Sequence, residues 1–243
     1  MDKKEIIEAI NIAKEISKKR NFKQSFDLVI NLKNLNLKKP EGNIDLFTQL
    51  NKSTGKKIKI CSLVDYDLEK QAKESSDFFI LKDQFSKYEG KKKELKKIGR
   101  TYDYFIAQAE IMPNVATLFG KILGPLNKMP NPKIGCVVPG SIQTLKPLVE
   151  KLKNTIRLKT KNELTIKILV GNEEMNDQDI AENVLTTYNF LLHNLPQEKN
   201  NIKSTILKMT MGRPVLIGRE YKKEEIASLI QKPKEKPRES EGK

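Results

Sequence analysis

The chain has 243 residues and a formal net charge of +15, from 46 lysines and arginines against 31 aspartates and glutamates. Its hydrophobic content of 37% is sufficient for folded cores and argues against a wholly disordered chain. No apolar run approaches the roughly 20 residues of a membrane-spanning helix, and no signal peptide opens the sequence. We therefore expect a soluble cytoplasmic protein with one large domain or two ordinary ones.

The N-terminal third predicts a helix followed by two strands. Residues 2–20 place apolar side chains at helical spacing, with acids early and bases at the end. Residues 22–33 alternate apolar and polar side chains, which predicts a strand with Phe22 on its core face and an available polar face. Residues 44–50 predict a short strand, and residues 51–57 form a basic loop.

The middle of the chain alternates strands with helices. Strands are predicted over 58–64, 78–81 and 104–107, and helices over 68–75, 85–98, 115–123 and 142–153. This alternation is typical of a parallel α/β sheet covered on both faces. Residues 135–141 are the nearest match to a phosphate-binding loop, but they lack the lysine that such a loop requires, so we expect no nucleotide.

The last third predicts a different arrangement. Residues 155–160 and 165–170 predict the two strands of a hairpin. A long helix follows over 177–195, then a strand or strand pair over 204–217 and a short helix over 223–230. Residues from 231 onward contain no core-forming side chain and predict a disordered tail.

The net charge, the two cysteines and the single histidine limit the classes of function that this chain could have. A net charge of this size favours nucleic acid over a merely solvated surface, and a membrane surface is the weaker alternative because the basic stretches lack bulky aromatics and lipidation signals. Cys61 and Cys136 are expected to be buried thiols, and with the single His193 they match no metal or nucleophile spacing. We therefore expect no catalytic residues, no metal and no cofactor.

Several basic clusters predict contacts with phosphates distributed over the protein. The sequence has no aromatic strand of the RNA-recognition-motif type and no KH-type loop, so any RNA would be recognised through shape, phosphates and 2′-hydroxyls. Thr210, Met211 and Gly212 suit close approach to RNA, with a hydroxyl, an adaptable apolar side chain and a residue without Cβ. An ordinary strand end followed by a turn explains these three residues equally well.

Residues 120–125 read Gly-Lys-Ile-Leu-Gly-Pro, residues 128–132 read Lys-Met-Pro-Asn-Pro, and Thr210-Met211-Gly212 follows far downstream. Together with residues 22–32 and 35–44, these motifs resemble the family of large-subunit ribosomal protein one, in its archaeal form. The resemblance implies an α/β protein of two domains. Domain I is a discontinuous α+β domain of residues 1–62 and 156–231, domain II is a Rossmann-like insertion of residues 63–155 without a nucleotide, and residues 232–243 form a disordered charged tail.

The resemblance also implies a function that is not enzymatic. The family is a structural constituent of the large ribosomal subunit and binds 23S-type rRNA at the mobile stalk near the tRNA exit site. There it assists the release of deacylated tRNA. In archaea and bacteria it also represses translation of its own mRNA, whose leader imitates the rRNA site.

By position, the resemblance implies a set of RNA contacts on the first and last strands of domain I. The implied residues are Phe22, Ser25, Asp27, Ser204, Thr210, Met211 and Gly212, together with Lys56 and Lys203. The chain departs from the family pattern in two loops. Of the usual Pro-His-Gly-x-Gly-Lys loop only Gly55-Lys56 is present, and Leu126-Asn127 replaces the usual Arg-Gly, so we expect domain II to contribute less to RNA binding.

Two alternatives stay open at this stage. A Rossmann-like RNA-modifying enzyme would use the alternating middle segment to hold a cofactor, although the glycine fingerprint for one is missing. A basic protein that binds RNA without specificity would account for the charge alone.

Overall fold

The computed structural model describes residues 1–37, 42–140, 144–160 and 163–230. The chain divides into two compact units, the first formed by Met1–Gly55 with Ile156–Lys243 and the second by Lys56–Thr155. The predicted disordered tail lies outside the described residues. The predicted α/β fold class is confirmed by the elements that follow.

The described helices are α1 (Lys3–Ile16), α2 (Glu69–Ser75), α3 (Phe85–Tyr88), α4 (Lys92–Thr101), α5 (Met112–Leu123), α6 (Lys146–Lys153), α7 (Asp177–His193) and α8 (Lys223–Ile230). The strands are β1 (Ser25–Leu32), β2 (Asp45–Gln49), β3 (Ile60–Val64), β4 (Phe78–Leu81), β5 (Tyr104–Gln108), β6 (Val137–Val138), β7 (Thr155–Lys159), β8 (Thr165–Asn172), β9 (Ile202–Met209) and β10 (Val215–Leu216). No helix in this part of the chain is long and apolar enough to cross a bilayer.

The first unit is built on a four-stranded antiparallel sheet of order β10-β9-β1-β8. Alternate residues of β1 and β9 are buried, and they pack with apolar side chains of α1 and α7 into one core. The opposite face of these strands carries the half-buried and exposed residues. One face of the sheet is therefore closed by helices, as the alternation along β1 predicts.

Capping and charged side chains stabilise the ends of the two helices that close this core. The backbone N–H of Asp2 donates to the Glu5 carboxylate at 2.9 Å, and the Asp2 side chain completes a capping box at the start of α1. Helix α7 has Asp177 and Asp179 in its first turn and His193 in its last. Acids at the start and a base at the end complement the helix dipole.

The predicted hairpin over residues 155–160 and 165–170 is wrong. Strand β7 pairs with β2 in a separate two-stranded sheet, whereas β8 pairs with β1 in the main sheet. The Thr160 amide donates to the Ile44 carbonyl at 3.0 Å and the Ile44 amide donates to the Thr160 hydroxyl at 2.9 Å. These bonds hold the end of β7 against the start of β2. Strands β7 and β8 therefore have different partners, although they are close in sequence.

The second unit holds a parallel sheet of order β4-β3-β5-β6. Helices α4 and α5 contact each other and pack in one core with Cys61 and Leu63 of β3, and α2 and α6 also contact each other. The right-handed crossovers usual for parallel strands predict that these two pairs of helices cover opposite faces of the sheet. Every residue of β3 is buried, which is typical of a central parallel strand. Cys61 and Cys136 are buried free thiols, as predicted, and burial raises the pKa of Cys136 to about 11.

Two predicted boundaries need correction. The predicted domain boundary at residues 62 and 63 cuts through β3, which pairs with both β4 and β5, so the second unit begins at Lys56. The predicted helix over 85–98 is two helices, because Gly90 adopts a positive φ of 78° between α3 and α4, a conformation that interrupts a helix and favours glycine.

Candidate nucleic-acid interface

Three hydrogen bonds join Thr210 to Ser25 at one end of the main sheet. The Thr210 amide donates to the Ser25 carbonyl at 3.0 Å. The Ser25 amide donates to the Thr210 hydroxyl at 3.1 Å, and this hydroxyl donates to the Ser25 carbonyl at 3.2 Å. The side chain of Thr210 thus extends the pairing of β1 and β9 by one residue beyond Met209.

A tight turn follows at this end. The Gly212 amide donates to the Met209 carbonyl at 2.9 Å, and the Met211 side chain is 60% exposed at the tip. A Cβ on Gly212 would lie 2.3 Å from the Ser17 hydroxyl oxygen and 3.1 Å from the Met209 Cβ. Glycine is therefore required here by close packing against the end of α1, where sequence reasoning assigned it to close approach of RNA.

The position of Phe22 differs from the sequence prediction. Strand β1 begins at Ser25, so Phe22 precedes the strand and its ring is 51% exposed, away from the core. The side-chain amide of the buried Gln24 donates to the Lys18 carbonyl at 3.1 Å, and the backbone carbonyl of Gln24 accepts from the Glu173 backbone amide at 2.9 Å. These bonds hold the connection from α1 to β1 and keep Phe22 at the same end of the sheet as Met211.

We call the group formed by Phe22, Ser25, Thr210, Met211 and Gly212 the sheet end. Sequence reasoning placed all of these residues in the site, and the antiparallel pairing of β1 and β9 brings them to one end of the sheet. Three further cations follow α1 beside this group; they are Lys18, Lys19 and Arg20. All three are exposed, and none has an ion pair within the described ranges.

Asp27 lies on the polar face of the sheet, two residues along β1 from Ser25. It is half-buried and is flanked by Lys208 on β9 and Leu169 on β8. Burial raises the pKa of the Asp27 carboxyl above its ordinary value of 3.8, and the nearby Lys208 ammonium opposes this shift. Partial burial of an acid on a face expected to meet phosphates leaves it suited to accept from a 2′-hydroxyl or a base amine.

Ser204 and Lys203 lie at the opposite end of the sheet. Ser204 pairs with Asn31, six residues along β1 from Ser25, which is a separation of about 20 Å. The side-chain Nδ2 of Asn31 donates to the Ser204 hydroxyl at 2.9 Å, and the Thr165 hydroxyl donates to the side-chain Oδ1 of Asn31 at 3.2 Å. Lys203 is the exposed extra residue where the register shifts beside Leu32.

Sequence reasoning placed Asn31 on the polar face of the first strand but missed its neighbours on the adjacent strands. Thr165 pairs with Asn31, and Lys208 pairs with Asp27. The alternation of buried and half-buried positions along β8 and β9 was the signal that could have found them.

The other basic positions serve different contacts. Lys56 belongs to the second unit, where its ammonium lies 3.1 Å from the Asp103 carboxylate. Arg157 donates to both oxygens of Asp45 at 2.6 Å, and Lys159 lies 3.7 Å from the same carboxylate. The charges of Arg157 and Lys159 are thus compensated within the first unit.

Comparisons with known proteins identify the family. The profile of the ribosomal protein L1p/L10e family matches residues 13–213. The chain belongs to this family. The large ribosomal subunit protein uL1 of Methanobrevibacter smithii is 41% identical over 209 residues, which cover 86% of this chain and 96% of that protein. The uL1 protein of Methanocaldococcus jannaschii is 37% identical over 223 residues, covering 92% and 99%, so the archaeal resemblance is confirmed.

One motif of the L1p/L10e resemblance has a structural role here. Lys128, in the Lys-Met-Pro stretch, donates to the Gly99 carbonyl at 3.0 Å and to the Tyr102 carbonyl at 2.6 Å. These carbonyls lie at the C-terminal end of α4, where a cation complements the helix dipole. Burial lowers the pKa of Lys128. This lysine therefore closes a helix of the second unit and is not directed at a nucleic acid.

Proposed function

We propose that the protein is a non-enzymatic structural constituent of the large ribosomal subunit that binds 23S-type rRNA at the mobile stalk near the tRNA exit site. Family membership, the names of its archaeal relatives and the net charge of +15 support this proposal. The rRNA contact is assigned to the sheet end and to the polar face of β1 and β9 that continues from it.

The exposure of Phe22 and Met211 carries the proposal. Only four large hydrophobic side chains of the described residues are strongly exposed, and two of them belong to the sheet end. An aromatic ring and a flexible thioether held at one end of a rigid sheet can cover ribose or an unstacked base, while the neighbouring cations neutralise phosphates. The Ser25 hydroxyl and the backbone groups beside them suit recognition of RNA shape rather than of a base-paired sequence.

Two regulatory and translational roles follow from the same surface. An RNA leader that presents the same shape as the rRNA junction would occupy the sheet end, so binding of the two RNAs would be mutually exclusive. This mutual exclusion supports repression of the protein's own mRNA when the protein is present in excess over rRNA. Assistance in the release of deacylated tRNA follows from the proposed position at the stalk, and no membrane partner is proposed.

The test of the rRNA contact compares two exposed apolar side chains. We expect Met211→Ala to weaken binding of the full chain to an isolated stalk rRNA fragment by about tenfold or more, a loss of at least about 1.4 kcal/mol. Leu126→Ala is the matched control, since Leu126 is also exposed but belongs to the second unit. Equal affinities for Met211→Ala and Leu126→Ala would overturn the assignment of the contact to the sheet end.

Crosslinking in cells with sequencing of the bound RNA separates the proposed function from its rival. A dominant rRNA peak in the stalk, with a second peak in the protein's own mRNA leader, is the expected result. A diffuse profile over many RNAs would favour a basic protein without specificity.

A further inference from the structure

We infer that helix α4 of the second unit carries a separate surface that binds the phosphate backbone of double-stranded RNA without sequence preference. The surface is formed by Lys92, Lys93, Lys96 and Lys97, which we call the α4 lysine face. It goes beyond the proposed function, which rests on the sheet end of the first unit.

The packing of α4 leaves the four lysines in solvent. Helix α4 is held through Leu95 and Gly99, both buried, and Gly99 contacts side chains of α5 and of the loop after it. All four lysines of the α4 lysine face are exposed. Lys92 and Lys96 are one turn apart, as are Lys93 and Lys97, which places each pair about 6 Å apart along the helix axis. This separation is comparable with that of successive phosphates on one RNA strand.

The cations of this face have no internal counter-charge. The one acid of the helix, Glu94, lies 3.7 Å from Lys91. Within the described part of the chain, none of the four lysines forms an ion pair. The positive charge of the face is therefore available to an external anion, unlike the charges of Lys56 and Arg157, which pair with aspartates.

The N-cap of α4 differs from that of α1. Both helices begin with two lysines followed by a glutamate, but the N-cap of α1 is Asp2, which forms a capping box, whereas the N-cap of α4 is Lys91, which forms no side-chain cap. Cations at the positive end of a helix dipole are unfavourable. A local conflict of this kind is expected where a ligand compensates for it, and an approaching phosphate would interact favourably with the lysines and with the helix terminus.

The chemistry of the face favours an RNA duplex over an acidic protein or a lipid surface. No large hydrophobic side chain of α4 is strongly exposed, whereas protein interfaces use buried aromatic anchors and membrane-bound helices use bulky apolar faces. Lysines are compact point charges that suit phosphates without demanding a fixed geometry. A row of them along one helix suits a regular backbone of phosphates.

The experiment uses the full chain and a plain RNA duplex of arbitrary sequence as the probe. The variant carries Lys92→Gln, Lys93→Gln, Lys96→Gln and Lys97→Gln. The matched control carries Lys70→Gln, Lys73→Gln, Lys151→Gln and Lys153→Gln, which removes the same charge from exposed positions on α2 and α6, the helices of the opposite face. Binding is measured by fluorescence anisotropy over a series of salt concentrations.

We expect the α4 variant to lose about tenfold or more in duplex affinity, and its slope of log affinity against log salt to fall by about 3–4 relative to the unaltered chain. The control variant is expected to retain most of the duplex affinity and most of the slope of log affinity against log salt. An equal loss in the two variants would show a general effect of net charge and would overturn the inference, as would no loss in the α4 variant. Competition by polyglutamate as strong as that by RNA duplex of equal charge would also overturn it, in favour of an acidic protein partner.

The stalk fragment separates this inference from the proposed function. The ratio of stalk affinity to duplex affinity depends on the sheet end, so the α4 variant should keep or increase it. In Met211→Ala, a lower ratio of stalk affinity to duplex affinity with an unchanged duplex affinity would support the proposed function without bearing on the α4 lysine face.

Discussion

The Thr210 side chain bonds the backbone of Ser25, 185 residues away in sequence, with its hydroxyl 3.1 Å from the Ser25 nitrogen and 3.2 Å from the Ser25 oxygen. The hydroxyl thus has partners inside the protein before any RNA arrives. Thr210 holds the two strand ends together and thereby sets the position of the exposed Met211. We therefore expect Thr210 to contribute to the proposed RNA binding by positioning Met211.

Thr210→Val tests this role. Valine keeps the shape and removes both side-chain hydrogen bonds, so we expect the free energy of unfolding to fall by about 0.5–1.5 kcal/mol and the affinity for stalk rRNA to fall with it. Thr210→Ser keeps the hydroxyl and should retain most of both quantities. Urea denaturation and filter binding of the three proteins measure the effect. Normal stability with weakened binding in Thr210→Val would instead indicate a direct contact of the hydroxyl with RNA.

Gly212 and Ser17 are expected to be energetically coupled. Gly212→Ala places a Cβ 2.3 Å from the Ser17 hydroxyl oxygen, and overpacking of this kind destabilises a protein by about 1–3 kcal/mol. Ser17→Ala alone should be close to neutral or stabilising, because the buried hydroxyl oxygen has no hydrogen-bond partner among the residues that the structure describes. In the double variant the loss should be largely recovered.

A thermal-unfolding double-mutant cycle measures this coupling, with an expected magnitude of about 0.5–3 kcal/mol. Strictly additive effects of Gly212→Ala and Ser17→Ala would contradict the packing explanation. They would return Gly212 to the role that the sequence suggested, close approach of RNA.

Lys128 is expected to stabilise the second unit. Lys128→Met keeps the aliphatic stem and removes two hydrogen bonds from a charged donor to the end of α4, so we expect a loss of about 1.5–3 kcal/mol. Amide hydrogen exchange along α4 should become faster in the variant. Lys121→Met is the control, since Lys121 is exposed on α5. Comparable exchange in the two variants would contradict the helix-closing role of Lys128.

Asp27 predicts a pH dependence of stability. Burial, opposed by Lys208, raises the pKa of Asp27 in the folded protein above its ordinary value of 3.8, so the folded state binds more protons than the unfolded state in the interval between the two pKa values. The contribution of Asp27 to the free energy of unfolding is therefore largest below this interval and decreases as the pH rises through it. Asp27→Asn should remove that decrease.

Urea denaturation of the unaltered chain and of Asp27→Asn from pH 4 to pH 7 checks this sign. The stability of the variant relative to the unaltered chain should increase with pH over the lower part of the range and then become constant. A difference that decreases with pH would mean that Lys208, rather than burial, dominates the environment of the carboxyl group.

The local elements of the fold were largely predictable from the sequence. Alternation of apolar and polar residues identified β1 and its polar face, and helical spacing identified α1 and α7, because both patterns arise from the geometry of a single chain segment. Glycine at position 90 was a visible signal for the break between α3 and α4, and its positive φ explains the error in the predicted helix.

The residues of the sheet end were proposed from the sequence, but their contacts within the protein could not be predicted from it. Phe22 was assigned to the core face of a strand, and only the actual start of β1 at Ser25 leaves its ring in solvent. Gly212 and Thr210 contact Ser17 and Ser25 of the protein itself. A sequence pattern indicates that a residue type is required, but the neighbour that requires it is non-local.

The sequence by itself determined the net charge of +15, the α/β class and the family, since these depend on composition, period and motif. The tertiary structure decided which strands pair, separating β7 from β8, and it decided which cations are compensated internally. Arg157 and Lys128 are engaged by the protein, whereas the α4 lysine face is not. The physical reason is that charge and periodicity belong to the chain, whereas hydrogen-bond and ion-pair partners are fixed only when distant segments meet.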